Sequence, residues 1–357
     1  MTAHLAKIAL SDMQAELRDQ AMRFCADKSP MSKVRALIEM DAGYDVDVWS
    51  EIGALGWTGI TIPEQFGGLG LEVTDTVPIM EMMGKHLLNS PFKSTTLAAQ
   101  TILHGGSEEQ KQTYLAQIAD GKAATLALFE TDGSWDLSKI DGQEKTFVMD
   151  LDAASFVIVS VRHKGDVRLA CLPTDKIIAR RETIIDETRR SFSFDVPPFD
   201  DGDLMPVETT QAALARVECV ANLLQAAELC GAAQACVDYT VEYLTTRKQF
   251  GKLIGSYQAL KHPTVDTFIE AEKARSLVYA AATHFEKQGE GEVAVRMAAV
   301  QAQKALSYAA DRSIQFHGGF GFTYDCDAQL YRRRAMFAAS QYGDGAYHRA
   351  KLAELLL

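Results

Sequence analysis

Three short stretches in the last third of the 357-residue chain hold residue types that could do chemistry. The first is RKQFGKLIGSYQ, residues 247–258. There Arg247 offers a planar guanidinium able to grip a pyrophosphate through two parallel hydrogen bonds. The second is QFHGGFGFTYDCDAQLYRRRA, residues 315–335, in which Gly318, Gly319 and Gly321 permit close backbone approach or positive φ. A bulky planar or phosphorylated ligand needs that opening, and Gln258 or Gln315 can hydrogen-bond a ribose or a ring edge. For any one of these residues the plain alternative is a helix ending in a capping glycine beside a dipole-complementing arginine. The third stretch is SQYGDGAYHR, residues 340–349. A carboxylate at Asp344 could remove a proton, whereas a phenol of ordinary pKa, about 10, is a poor base at neutral pH. Tyr342 is such a phenol.

Other constellations are thinner. The eight histidines show no HExxH or other metal spacing, so no metal is expected. His317, between Phe316 and Gly318, reads as lining the turn. Met80, Met82 and Met83 read as core or as a plastic pocket wall. Arg332, Arg333 and Arg334 could reach phosphates, subunit acids or solvent.

The elements that must position these residues follow from periodicity. Residues 5–25 and 48–55 carry apolar side chains at three- and four-residue spacing and predict helices. TIPEQFGGLGLEVTD, residues 61–75, breaks the pattern with a proline and three glycines and predicts a loop. Helices are predicted again over 76–86 and 95–119. From residue 123 the runs TLALFE, KTFVMD, SFVIVSVR, VRLACLP and SFSFDV predict strands, separated by turns such as HKGD (163–166) and DGQ (141–143). Residues 211–247 contain no proline and one glycine, which predicts one long helix. Pro263 is placed at the start of the next helix, running to about residue 288, and 292–313 forms another. Long helices joined by short connections imply an antiparallel bundle. The chain therefore divides into a helical segment (1–122), a short β-unit (123–207) and a helical bundle (208–357).

Composition narrows the function. The net charge of −12 speaks against an electrostatic grip on nucleic acid. No apolar run is long enough to span a bilayer. The start, MTAHLAKIALSDMQAEL, is not patterned as a signal peptide, and six cysteines without CxxC spacing read as reduced thiols. A cytoplasmic protein is expected.

Taken in order, these stretches resemble the acyl-CoA dehydrogenase family over essentially the whole chain. PEQFGGLG (63–70), Glu81 in the helix after it, RKQFGKLIGSYQ, QFHGGFGFT and the arginines 332–334 carry the resemblance. It implies an α+β fold: an N-terminal helical domain, a central β-barrel and a C-terminal four-helix bundle. It also implies FAD, dehydrogenation of an acyl-CoA between C2 and C3 with a glutamate as base, and reoxidation by an electron-transfer flavoprotein. Each FAD is implied to lie across two subunits. Arg247, Lys248, Gln249, Phe250, Tyr257 and Gln258, with Gln315, Phe316, His317, Gly318 and Gly319, reach in from one chain to hold its adenosine and pyrophosphate end.

That reaching half matches the family. The receiving half departs from it. Phe129 falls where a threonine hydroxyl would meet the flavin, Trp135 where a serine would bind, and Phe147 and Met149 on the segment that ends in a hydroxyl. An unpaired buried polar edge costs about 1–3 kcal/mol per group, and added bulk in a fitted pocket costs a similar amount. The family's base position falls on Tyr342, and the alternative position on the long helix falls on Ala221. Glu218, Glu228 and above all Asp344 are the nearby acids. The expected function is a subunit of an FAD-dependent acyl-CoA dehydrogenase, in an α2β2 heterotetramer whose sister chain is catalytic. A bulky, steroid-type acyl-CoA is the expected substrate. Two alternatives stand beside it: a self-sufficient homotetramer with Asp344 as relocated base, and a non-enzymatic scaffold of the same fold.

Overall fold

The computed structural model describes residues 10–136, 140 and 142–357. The first residues of the helix predicted from Leu5, and Asp141 of the DGQ turn, lie outside the described residues. The chain forms two compact units. One gathers Met1–Val34, Thr74–Leu88 and Asn222–Leu357, and the other Arg35–Val73 and Asn89–Ala221.

Local chemistry sets the helix ends. α1 (Asp12–Lys28) begins where the Ser11 hydroxyl accepts from the Gln14 amide and the Gln14 side chain accepts from the Ser11 amide. α2 (Met31–Ile38) is next, and Asp45 caps α3 (Val46–Ala54). The predicted loop holds only short turns, Glu64–Phe66 and Val73–Thr76. Beyond it lie α4 (Val77–Lys85) and α5 (Phe92–Gly105). The single helix predicted to run to residue 119 is broken, because Gly106 is extended and Ser107 recaps the chain. Past that break the chain forms α6 (Glu108–Gln110), a π turn (Lys111–Leu115) and α7 (Ala116–Ala119).

The five predicted strand runs all form strands: β1 (Ala124–Ala127), β2 (Glu144–Met149), β3 (Phe156–His163), β4 (Asp166–Pro173) and β6 (Ser191–Asp195). β5 (Arg180–Glu182) is additional. They make two three-stranded sheets, ordered β1-β3-β4 and β2-β6-β5. Among the described residues the strands do not close into the implied barrel. The break is local. The β2–β6 register slips between Lys145 and Val148, with Phe147 and Asp150 at positive φ. The sheets meet instead at an isolated Phe129–Thr146 bridge and at the Thr125 hydroxyl, which donates to the Met149 carbonyl. Val148, Val157, Val159, Val161, Leu172 and Phe194 fill the core between them.

α8 (Val207–Thr246) runs 40 residues without a proline. α9 (Gln258–His284), α10 (Gly291–Phe316), α11 (Ala328–Ala338) and α12 (Gly345–Leu356) complete the helices. Pro263 lies inside α9 rather than at its start. The helix begins five residues earlier because the Tyr257 carbonyl already accepts from Leu260 and Lys261.

Glu270 ties α9 to α10. Its carboxylate takes the Lys304 ammonium at 2.9 Å and the Gln301 amide at 2.8 Å. The hydrogen bond from Lys304, then that from Gln301, lowers its pKa from 4.5 to about 2. A carboxyl that ionises at lower pH in the folded state contributes fully above its unfolded pKa. That contribution fades as pH falls from about 4.5 toward about 2. Glu270→Gln is therefore expected to flatten the acid limb of the stability–pH curve in that window and leave neutral stability lower by about 1 kcal/mol or less. Urea midpoints across pH test this. An acid limb as steep as wild type would show the bridge to be absent in solution.

No helix among the described residues is long and apolar enough to cross a membrane, and none of their His, Cys, Asp and Glu side chains group as metal ligands.

Candidate functional site

The first two chemical stretches converge. After α8 the chain folds into a two-residue-tipped hairpin, β7 (Lys248–Gln249) and β8 (Lys252–Leu253). Its tip, Phe250 and Gly251, has φ of 52° and 77°. Two left-handed residues match the twist of a tight hairpin. Gly251 is thus a hairpin-tip residue rather than a helix cap. The Ile254 amide closes the base on the Arg247 carbonyl at 2.9 Å, and the Tyr257 hydroxyl donates to the Gln249 carbonyl. Leu244, Ile254 and Phe316 pack under the hairpin with Tyr243 and Leu260. Phe316 belongs to the second stretch, so one apolar cluster holds both.

Around this cluster the polar side chains point outward. Arg247, Lys248, Gln249, Gln258 and Gln315 are exposed. Phe250 is 91% exposed and Phe322 83%. Gly318 takes φ of 62° with open space where a Cβ would stand, and Gly319 is equally open at ordinary φ. Gly321 plays a different part, because a Cβ there would strike the Ile314 carbonyl oxygen at 2.0 Å. His317 is enclosed. Its ring stacks between Tyr239 (4.5 Å) and Tyr243 (4.2 Å), and Nδ1 donates to the Ser313 carbonyl at 2.7 Å. Burial lowers its pKa, so the neutral ring is favoured.

The third stretch is a clamped turn. Gln225 Nε2 donates to the Ala338 and Gln341 carbonyls, Asn222 Nδ2 to that of Tyr342 and Gln303 Nε2 to that of Gly343. Tyr342 and Gly343 both have positive φ, 57° and 110°. Only glycine fits at 343, since a Cβ would lie 2.3 Å from the Tyr347 ring. Asp344 is the N-cap of α12. Its Oδ1 accepts from the amides of Ala346 (2.9 Å) and Tyr347 (2.8 Å). His348 is buried behind the turn with Nδ1 3.4 Å from Arg296. Burial, then the Arg296 charge, lowers its pKa to about 4. The three amides that hold this turn come from α8 and α10, and nothing in the local sequence marks them.

The remaining acids and arginines are engaged. Glu228 and Arg334 form an ion pair with both side chains 3% exposed. Glu81 accepts from Arg275 Nε at 2.9 Å and from the Tyr279 hydroxyl. Arg332 pairs with Asp311 at 2.7 Å, and Arg333 lies over the Tyr324 ring. Glu218 is half-buried.

In the other unit, Phe129 is buried at its bridge to Thr146, Trp135 and Met149 are half-buried, and Phe147 is exposed. Lys145 between them is fully buried, paired with Glu130 and 3.0 Å from the Ser160 hydroxyl. The Thr146 hydroxyl is buried without a hydrogen-bond partner among the described residues.

The acyl-CoA dehydrogenase N-terminal domain matches residues 11–122, and the acyl-CoA dehydrogenase C-terminal domain matches residues 220–357. Acyl-CoA dehydrogenase IpdE2 of Mycolicibacterium smegmatis is 30% identical over 336 residues, 94% of this chain and 96% of that relative. The ChsE4–ChsE5 complex from Mycobacterium tuberculosis superposes with a TM-score of 0.88 at 18% identity, over 98% of this chain and 99% of that one. A variant of the Tcur3481–Tcur3483 steroid ACAD gives 0.86 at 23% identity, over 96% and 97%. These two likenesses speak for the fold, and the IpdE2 match carries the family. The chain belongs to the acyl-CoA dehydrogenase family.

Proposed function

We propose that this chain is the FAD-completing subunit of a heteromeric acyl-CoA dehydrogenase, in which a sister chain carries the catalytic base and the flavin ring. The observation that carries this reading is the contrast between two surfaces. Arg247, Gln258 and Gln315 are exposed beside the open backbone of Gly318 and Gly319. They fit the adenosine and pyrophosphate of an FAD: the guanidinium would take a phosphate in two hydrogen bonds, the amides a ribose or ring edge. Lys248 adds charge, Gln249 and Tyr257 brace the hairpin, and Phe250 supplies an apolar cap. Phe316 and His317 support the turn from beneath. The positions on the strands do not fit the flavin end, since Phe129, Phe147 and Met149 offer no hydroxyl and the Thr146 hydroxyl is buried.

When bound, FAD supplies the hydride acceptor for C2–C3 dehydrogenation of an acyl-CoA, and an electron-transfer flavoprotein is its natural oxidant. This chain's contribution is to orient the cofactor and exclude water from its adenosine end. Asp344 supports the division of labour, because its Oδ1 is engaged in capping α12. An α2β2 assembly is the simplest stoichiometry, in the cytoplasm and on a bulky acyl-CoA. One structural neighbour is a variant of a steroid ACAD, and another is a complex of two proteins. Both suit this reading.

The test is the flavin-to-chain ratio by visible absorbance. The chain produced alone is expected to be colourless and poorly soluble, because Phe250, Phe320 and Phe322 stand exposed. Produced with its sister chain it is expected to yield about one FAD per pair of unlike chains. Arg247→Ala should lower that occupancy at least tenfold at limiting FAD, the loss of a charge-assisted bidentate contact. One FAD per chain in the lone protein would overturn the proposal and turn attention to Asp344.

A further inference from the structure

A cleft of about 560 Å3 opens between α1, α4, α8 and α9, a size typical of small-molecule sites. Met22, Met82, Val241 and Phe268 give it an apolar wall, and Arg18, Glu81 and Lys85 stand in its lining. None of the residues assigned to FAD lines it.

The charges in this lining are unequally satisfied. Both Glu81 oxygens are already taken, by Arg275 and Tyr279. Lys85 is bound to Asp238 at 2.8 Å. Arg18 is different. Its Nε stands 3.8 Å from Glu81 Oε2, beyond hydrogen-bond reach, and is buried with no hydrogen-bond partner among the described residues. A guanidinium carries five donors in a fixed fork that suits a carboxylate, and burying such a donor unpaired is costly. The lining therefore holds, beside its apolar wall, a partly exposed arginine in a long ion pair whose Nε makes no hydrogen bond among the described residues.

We propose that this cleft binds a small amphipathic carboxylate, with the carboxylate on Arg18 and the apolar body against Met22, Met82, Val241 and Phe268. The carboxylate is preferred to a phosphate because Glu81, Asp238 and Glu242 share the lining and would repel a dianion. In an acyl-CoA dehydrogenase, such a site would sense free acids chemically akin to the acyl group without touching the thioester.

Sodium decanoate is the probe, with decanol and decylamine as neutral and cationic controls, titrated calorimetrically into the full chain in the assembly in which it purifies. Saturable binding of about one decanoate per chain is expected, with both controls at least tenfold weaker. Arg18→Met should weaken decanoate at least tenfold, and Arg18→Lys less. Val241→Trp, a change at a position 41% exposed, should block the cleft while leaving the flavin ratio unchanged. Absence of saturable binding, equal affinity for decanol, or an unchanged Arg18→Met affinity would overturn the proposal. So would a partner's acidic segment occupying the cleft, detected as a cross-link from Gln234→Cys to the sister chain together with decanoate binding only after that chain is removed.

Discussion

Glu228→Ala is expected to cost this protein about 3–5 kcal/mol, enough to drive much of the chain into the insoluble fraction. The reason lies in the charge that the substitution leaves behind. Glu228 and Arg334 are almost wholly out of water, so each offsets much of the other's desolvation cost. Removing the carboxylate deprives a buried guanidinium of its ion-pair partner, so its desolvation cost is far less well offset. Where the variant remains soluble, its thermal midpoint should fall by about 4–7 °C. Replacing both partners, Glu228→Met with Arg334→Met, should recover most of the loss, because an apolar pair of similar volume carries no desolvation cost. Denaturation of the three variants decides the matter. A single variant as stable as wild type would mean that the two side chains are hydrated in solution and not paired. The same result bears on chemistry, since a free Glu228 would again be an acid able to act as a base.

Gly231→Ala is expected to be as damaging by a different route. A Cβ at 231 would stand 1.8 Å from the Glu81 carbonyl oxygen, and one at Gly84 would stand 1.9 Å from that of Glu228. The two glycines are thus where α4 and α8 touch backbone to backbone. The obstacle is main chain on both sides, so no rotamer change relieves it. Overpacking usually costs about 1–3 kcal/mol, and this case belongs at or above the upper end. Separating the helices would also disturb Glu81, whose carboxylate holds Arg275 and Tyr279. Urea denaturation of Gly231→Ala and Gly84→Ala measures the effect, with Gly121→Ala as the counterpart for a glycine that has open space but positive φ. A loss below about 1 kcal/mol at Gly231 would show that the helices are not in backbone contact.

Much of the architecture was legible because it rests on periodic burial. The uninterrupted alanine-rich run gave α8, and five apolar runs gave five strands. β5 was not legible: Arg180, Arg181 and Glu182 have no apolar alternation, and charge holds the strand in place, with Arg180 on Asp195 and Glu144. The hairpin at 248–253 was hidden for a related reason. Its strands are two residues each, and its tip places a phenylalanine in the left-handed region, which propensity argues against. The break after α5 came from a backbone turn at Gly106 that helical spacing on either side concealed. At the candidate site, residue types were legible and their engagement was not. Asp344 as a cap, His317 between two tyrosines and Glu228 against Arg334 each depend on a partner distant in sequence or on a turn that only the folded chain defines.

β5 also bears on how long an unassembled chain survives. It lies at the edge of its sheet, where unpaired backbone groups invite a strand from another molecule. Here that edge is three residues long and presents two arginines and a glutamate, with Arg180 bridged to Asp195 on β6 and Glu144 on β2. A newly made copy docking on this side would have to desolvate those charges for very few backbone bonds. On the proposed heteromeric reading, exposed aromatic tips can then wait for their counterpart while the sheet edge refuses amyloid-like stacking, so a shortfall of the sister chain should leave reversible clumps rather than fibres.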